Sequence, residues 1–488
     1  MKRTSLVKNS FFNMVYRGFS ALFPLLTTTY IARTLLPERA GLVSYANTIA
    51  LYFTTVASLG IPNYGVKEIS RHGDDIPARS KSFLEFFTIN GISTSICTIA
   101  YFLLINLSPY FAGKRAVLNT MGLLLILNFC NVDWFYQGIE EYKLISVRSI
   151  LVKLISFAAM LIFVHKPSDY LIYALILCFA TAGNYLYNIA VLPRYIKIRK
   201  VTFQLKKHLT AVFILLASTL ATELYTTLDS VMLEYYVGTA SVAYYSNAVK
   251  IVRMVYTLVI AMIAPLYPRI SFYLQNDEEE KSNRLLNYAI RIVILLGVPA
   301  VIGIFLLADQ IVLILFGLEY LRSIDVLRIA SVLILMFSVA YTLGHIVLMA
   351  AGEEKNILKA TLVGAAVNAV MNFTLIPVFQ ERGAILASVF SEITVTTILI
   401  FYGRKNYTLK HDARYYLTVA AASGCMTVVI VAARRLLIGR MPHILSFMLI
   451  FFLAAGVYLG ILILLKNDVV IDLKAKFLSK RKRRSQKE

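Results

Sequence analysis

The stretch ATELYTTLDSVMLEYYVGTASVAYYSNAVKIVR, residues 221–253, decides how the rest of the chain is read. It is the end of one apolar run, a short turn at Gly238 and the start of the next. Each run is long enough to cross a bilayer as a helix. Yet one leg carries Glu223, Asp229 and Glu234, and the other carries Lys250 and Arg253. A charge in hydrocarbon costs several kcal/mol, so such residues face water or a partner and mark a path through the membrane. At about 1.5 Å per helical residue, Asp229 lies about 12 Å from the turn and Lys250 about 15 Å. The two therefore reach similar depth on neighbouring helices.

Outward from this hairpin the pattern repeats. The chain has 488 residues, 58% of them hydrophobic and only 16% charged, with a mean hydropathy of +0.70. A soluble chain carries about 25% charged residues. Here the apolar residues fall in runs of about 20, each of spanning length. The fold class is an all-α polytopic membrane protein, since the short alternating strands of a membrane β-barrel are missing. About fourteen spans are predicted. They lie near 10–34, 40–61, 82–107, 117–136, 143–164, 170–192, 208–236, 240–264, 285–308, 324–349, 358–378, 383–403, 415–438 and 444–465.

The net charge of +22 would suit a nucleic-acid binder, but its placement does not. Lys2, Arg3 and Lys8, then Lys67, Arg71, Arg79 and Lys81, then the 194–207 loop, then Arg404, Lys405 and Lys410, then the tail occupy alternate connections. That is the positive-inside pattern, and it predicts both termini in the cytoplasm, with anionic membrane lipids rather than nucleic acid as the partner of this charge. Arg434, Arg435 and Arg440 break the pattern. Cys97, Cys130, Cys178 and Cys425 sit in apolar runs without metal or disulfide spacing and read as packing residues. Arg17 and Pro24 interrupt the first run, which is expected to be a span and not a cleaved leader.

An internal repeat organises the spans. AGLVSYANTI (40–49) aligns without gaps on ASVAYYSNAV (240–249), and GIEEYK (138–143) resembles GEEK (352–355). Both offsets are six spans, which predicts two pseudo-symmetric six-helix lobes with ligand bound between them near the midplane. The expected division is an N-lobe over 1–193, a basic cytoplasmic linker over 194–207, a C-lobe over 208–404, two further helices over 405–466 and a basic tail over 467–488. Residues 63–79 and 271–284 mix charge with apolar side chains and read as surface-lying amphipathic helices.

No phosphate-binding loop and no metal-spaced His–Glu cluster occurs, so no cofactor is expected and the chain is read as no enzyme. Any energy must then come from an ion gradient. Arg17, Lys153, Lys250, Arg253 and Arg291 are cations within spans and would suit an anionic ligand such as a diphosphate. Each could instead snorkel to the interface or pair with Asp229 or Glu234. Asp229 with Asn368 and Asn372, which are one helical turn apart, offers hard oxygens for Na⁺, or a proton site. The Asn pair equally suits helix–helix hydrogen bonding. Glu223 is a second acid able to carry a proton. Asp133 beside Trp134, the single Trp, is explained as well by an interfacial anchor.

WFYQGIEEYKLISVRSILVK (134–153), LYTTLDSVML (224–233), AYYSNAVKI (243–251) and the N-terminal YIARTLLPERAGLVSYANTIALYF together resemble bacterial polysaccharide repeat-unit flippases. These are the O-antigen and capsule flippases of the Wzx type, within the multidrug/oligosaccharidyl-lipid/polysaccharide exporter superfamily. The resemblance covers roughly residues 10–404. It implies two six-helix lobes, usually with two more helices, in a bacterial inner membrane. It implies alternating access and undecaprenyl-diphosphate-linked oligosaccharide as substrate, delivered to polysaccharide polymerase and assembly proteins. Related lipid II flippases bind the diphosphate on cavity cations and Na⁺ through a helix-seven Asp and helix-eleven polar residues. Arg17, Asp229, Asn368 and Asn372 would match these, although Asn372 stands where those relatives have a carboxylate, and Glu223 stands where an apolar residue is common. A lipid II flippase and a cation-coupled drug exporter are the rival readings.

Overall fold

In lipid, a backbone can satisfy its own N–H and C=O groups within one segment only as a helix. The computed structural model describes residues 6–197, 203–276, 278–405, 407–408 and 412–472, apart from the side chains of 6–22 and 218. Among these the chain is helical, with one isolated bridge between Ile438 and Met441 and no strand. Among the described residues, twelve helices are long and apolar enough to cross a membrane.

The difference from about fourteen spans has two local causes. Helix α1 (Leu6–Ser58) holds the first two expected spans, and it kinks at Leu36 (φ 62°, ψ 166°), just before Pro37. Proline removes a helical donor and disfavours helical backbone in the residue before it. A reversed turn at Leu59 and Gly60, both at positive φ, then starts α2 (Ile61–His72). Next come α3 (Ile76–Leu107), α4 (Arg115–Met121), α5 (Leu123–Asn128) and α6 (Asp133–Gly138). The fourth expected span is thus broken into three pieces, each too short to count alone. Then follow α7 (Tyr142–Phe163), α8 (Tyr170–Val191), α9 (Lys206–Tyr236) and α10 (Thr239–Ile263).

The chain divides into two compact units, 1–246 and 247–488, and the division falls inside α10. In the first unit one core gathers Val43 and Ala46 of α1, Tyr101 of α3, Leu118 and Leu125 of α4 and α5, and Cys178 of α8. A second gathers Ile61 and Ile69 of α2, Phe83 and Phe86 of α3, Trp134 and Phe135 of α6, and Val212 of α9. The repeat segments meet here. A Cβ on Gly41 would sit 1.8 Å from the Thr239 carbonyl oxygen and 3.2 Å from the Ala243 nitrogen, so only glycine lets α1 approach the start of α10 this closely.

Two expectations are corrected. The amphipathic segment at 63–79 is a helix only over Ile61–His72, and Arg79 belongs to α3, where it is buried and donates to the Tyr195 carbonyl at 2.8 Å. The 271–284 segment is no single surface helix. It splits between α11 (Tyr267–Gln275) and the opening turns of α12 (Glu279–Leu315).

The second unit continues with α13 (Ser323–Ala330), α14 (Val332–Tyr341), a π-helical segment (Thr342–Leu348), α15 (Glu354–Phe379), α16 (Glu381–Gly403), α17 (Ala413–Leu437) and α18 (His443–Leu464). The last two helices are tied to α12: Tyr415 donates to the Arg291 carbonyl at 2.6 Å and Tyr458 to the Leu295 carbonyl at 2.7 Å.

Candidate functional site

Helix α9 runs from Lys206 to Tyr236 without a side-chain cap at its start, and its acids have different surroundings. Asp229 is buried, 2% exposed, and accepts a hydrogen bond from the Tyr245 hydroxyl on α10. Two residues earlier, the Thr227 hydroxyl lies 2.9 Å from the Tyr52 hydroxyl on α1. Glu223 is half-buried, and its carbonyl takes the hydroxyls of Thr226 and Thr227. These contacts set a polar strip along α9 against α1 and the start of α10.

Glu234 closes that strip at the end of α9. Its carboxylate receives the Lys114 ammonium and the Tyr110 hydroxyl from the connection between α3 and α4. Lys114 also stands over the rings of Tyr45 and Tyr110, at 5.5 and 4.5 Å. Burial, reinforced by the hydrogen bond to Glu234, pushes the Tyr110 hydroxyl well above the ordinary phenol range. The described partner of Glu234 is thus Lys114, whereas the sequence offered this pairing only as an alternative for the cations within spans. Hydropathy reads residue 114 as part of a bare loop, so nothing local could have paired it with a residue 120 positions away.

Lys250 and Arg253 lie on α10 in the second unit, and both side chains are exposed, not buried as expected of cations within a span. Lys250 approaches the Asn247 side-chain oxygen at 3.4 Å. They lie at i, i+3 and so share a face. Asn368 and Asn372 are buried on α15, and Asn372 donates to Asn368 at 3.0 Å, which is the packing bond that spacing allows. Arg291 is engaged: Asp412 accepts from it at 3.0 Å, Asp468 stands at 4.0 Å, and its guanidinium stacks on Tyr415. Lys153 is half-buried on α7. Arg17 lies on α1, and its side chain is outside the described residues, as are parts of the basic linker and tail.

The structure adds two polar clusters to the first unit, one buried and one half-buried. Glu85 accepts from the Gln204 backbone at 2.8 Å and lies 3.0 Å from His208 Nε2, while His208 Nδ1 lies 3.2 Å from the Tyr64 hydroxyl. A glutamate inside the apolar run SFLEFF was the available signal. Asp133 takes Arg148 at 2.7 Å and Asn188 at 2.6 Å. Its neighbour Trp134 is 3% exposed, packed against Gly65 and Phe83, so it is a core residue and no interfacial anchor.

Twelve long apolar helices among the described residues, several carrying charged and amide side chains, mark a multi-pass membrane protein. The chain belongs to the polysaccharide biosynthesis protein family, whose sequence model matches residues 6–274, and the MatE family model matches residues 215–374. It is 26% identical over 410 residues to a protein of Escherichia coli (strain K12) that carries the name O-antigen transporter, spanning 83% of this chain and 99% of that one. Its fold is like that of the lipid II flippase MurJ in an inward closed conformation (TM-score 0.72, 14% identity, 95% of this chain and 100% of that one). It is also like an inward-facing multidrug resistance MATE family transporter (TM-score 0.63, 16% identity, 79% of this chain and 93% of that one). The chain is therefore a transport protein of polysaccharide biosynthesis within the superfamily that holds these transporters, and not an enzyme.

Proposed function

We propose that this chain flips polyprenyl-diphosphate-linked oligosaccharide from the inner to the outer leaflet of a bacterial cytoplasmic membrane, with both termini in the cytoplasm. The observation that carries the reading is the pair Lys250 and Arg253, exposed near the middle of a spanning helix. An exposed ammonium at that depth requires water or an anion beside it. A diphosphate supplies the anion, and each charge-assisted bond to it is worth roughly 1.5–3 kcal/mol. The family resemblance adds Arg17 as a further candidate for the diphosphate, and Arg291 and Lys153 are the remaining cations proposed from the sequence. The similarity to an O-antigen transporter supports a glycan-bearing substrate. Polymerase and assembly proteins would take the product on.

Coupling to Na⁺ or H⁺ is assigned to Asp229 with Asn368 and Asn372, and Glu223 is the alternative proton carrier. No cofactor enters the cycle. The test is flipping of a lipid-linked oligosaccharide by Arg17→Ala, Lys250→Ala and Arg253→Ala at matched membrane abundance. Each loses about tenfold to a hundredfold, since 1.4 kcal/mol is tenfold. Wild-type transport in all three variants overturns the clamp. Accumulation of a peptidoglycan precursor, instead of a glycan intermediate, in cells lacking the gene reassigns the substrate to lipid II.

A further inference from the structure

The geometry points to a phospholipid-binding groove between α7 and α8, a site independent of the proposed flipping reaction. We propose that it holds one glycerophospholipid of the surrounding leaflet through its phosphodiester. The groove is a cavity of about 440 Å³ lined chiefly by Lys143, Leu144, Val147, Arg148, Leu151 and Tyr187, with Glu141 at its rim.

Three observations converge on it. The first is Arg148, which is 6% exposed. One terminal nitrogen is taken by Asp133 at 2.7 Å, while Nε and the other terminal nitrogen have no hydrogen-bond partner. A buried donor left unmade costs about 1–3 kcal/mol, so an acceptor brought to the Arg148 end of the cavity would be stabilised. The second is the wall. Val147 and Leu151 are 43% and 54% exposed, and Ile155, one turn further on the same face, is 55% exposed. That stripe at i, i+4, i+8 leads away from the polar end along α7 and suits an acyl chain. The third is position. Arg148 is six residues from the start of α7, about 9 Å, and Tyr187 is close to the end of α8 that leads into Arg194 and the basic linker. This is the end of the unit where headgroup phosphates lie if the basic connections face the cytoplasm.

Charge selects among phosphate lipids. Lys143 and Arg148 are set against Glu141 and Asp133, so the surroundings are balanced overall. A phosphodiester brings one negative charge, which Lys143 can meet while the free guanidinium edge donates to its oxygens. A diphosphate diester brings two negative charges to a groove whose two cations are already offset by Glu141 and Asp133.

The experiment is native mass spectrometry of the full-length protein released from nanodiscs containing phosphatidylglycerol, phosphatidylethanolamine, diacylglycerol and a polyprenyl monophosphate. Wild type retains one phospholipid and does not retain diacylglycerol. Leu151→Trp fills the groove without touching the Arg148–Asp133 pair, and Lys143→Gln removes the exposed cation. Each lowers phospholipid retention at least tenfold with unchanged thermal stability. Three results overturn the proposal: equal retention by wild type and both variants, equal retention of diacylglycerol, or preferential retention of the polyprenyl phosphate, which would make the groove part of the substrate path.

Discussion

Removing either end of the Glu234–Lys114 pair should weaken the first unit by unequal amounts, and the burial of the two side chains sets the order. The Glu234 side chain is 4% exposed and that of Lys114 is 22% exposed. Breaking a buried pair by deleting one partner costs about 3–5 kcal/mol, because the other charge is left without compensation. Lys114→Met strands a nearly inaccessible carboxylate with only the Tyr110 hydroxyl to bond it, so its cost lies in that range. Glu234→Gln keeps the shape and the acceptor. It strands an ammonium that reaches water and still rests on two aromatic faces, so its cost is about 1–2 kcal/mol. The double variant Lys114→Met/Glu234→Gln leaves no buried charge and recovers part of the loss. Unfolding of the purified full-length chain in mixed micelles, followed by helical signal, measures all four forms of the cycle. The reasoning fails if Lys114→Met is milder than Glu234→Gln, or if the double variant costs the sum of the singles. Because Asp229 lies little more than one turn from Glu234 on α9, transport in the same variants reports how far this anchor holds Asp229 in place.

Asp229→Asn keeps the hydrogen bond from Tyr245 and should reduce ion-driven transport at least tenfold while membrane abundance stays at the wild-type level. Retained ion dependence there, with loss only in Glu223→Gln, moves the coupling site to Glu223. Gly41→Val pushes a side chain into the Thr239 carbonyl and should cost about 1–3 kcal/mol or more of stability, read by the same unfolding assay, with Gly41→Ala milder. Tyr110 gives a pH signature. Its hydroxyl is held neutral in the fold, so its contribution is complete below its ordinary value of 10.0 and is lost as pH rises above that. The stability gap between wild type and Tyr110→Phe should therefore shrink above pH 10 and stay flat between pH 6 and 9. Cysteines placed in the 194–207 linker should react with an impermeant reagent only after the membrane is opened, whereas a cysteine at Lys166 reacts from outside.

The spans were legible because hydrocarbon imposes one rule on length and polarity, and their positions in the structure follow the apolar runs. The kink at Leu36 was equally open to view in TLLPE, since the proline fixes it. What sequence reasoning could not supply was partners. Glu234 and Lys114 are separated by 120 positions, and Glu85 and His208 by 123. Both couplings cross several helices and leave no local pattern. Trp134 shows the same limit. A tryptophan beside an acid near a helix end suits an interface, and only the absence of a side chain at Gly65 opens the slot that takes its ring into the core. The break in the fourth span was less visible because VLNTMGLLLILNFCNVDWFY is apolar enough to read through. Asn128, which accepts from Ser58 and donates to Thr94, binds the backbone where the chain turns between α5 and α6.

These partners change how charge inside the membrane should be counted. Arg434 breaks the alternation of basic connections, yet it donates to Asp309 at 2.6 Å and to the Leu306 carbonyl, so its charge is spent within its own unit. Arg291 is spent on Asp412 and Lys114 on Glu234. A cation compensated in this way exerts little field outside its pair, and it contributes neither to orientation nor to capturing a ligand. Lys250 differs in kind from these, because it stands exposed on a spanning helix with a weak 3.4 Å contact as the one bond described for it, and Arg253 shares its exposed face. Of the five cations first considered for the substrate, Arg291 therefore ranks below this pair. Its substitution should act on the packing of α12 against α17 through Tyr415 before it acts on transport. Arg291→Lys, which keeps the charge but loses the flat stack on Tyr415, separates the two roles: lowered thermal stability with normal transport per folded molecule marks a structural cation, and the opposite outcome returns Arg291 to the substrate clamp.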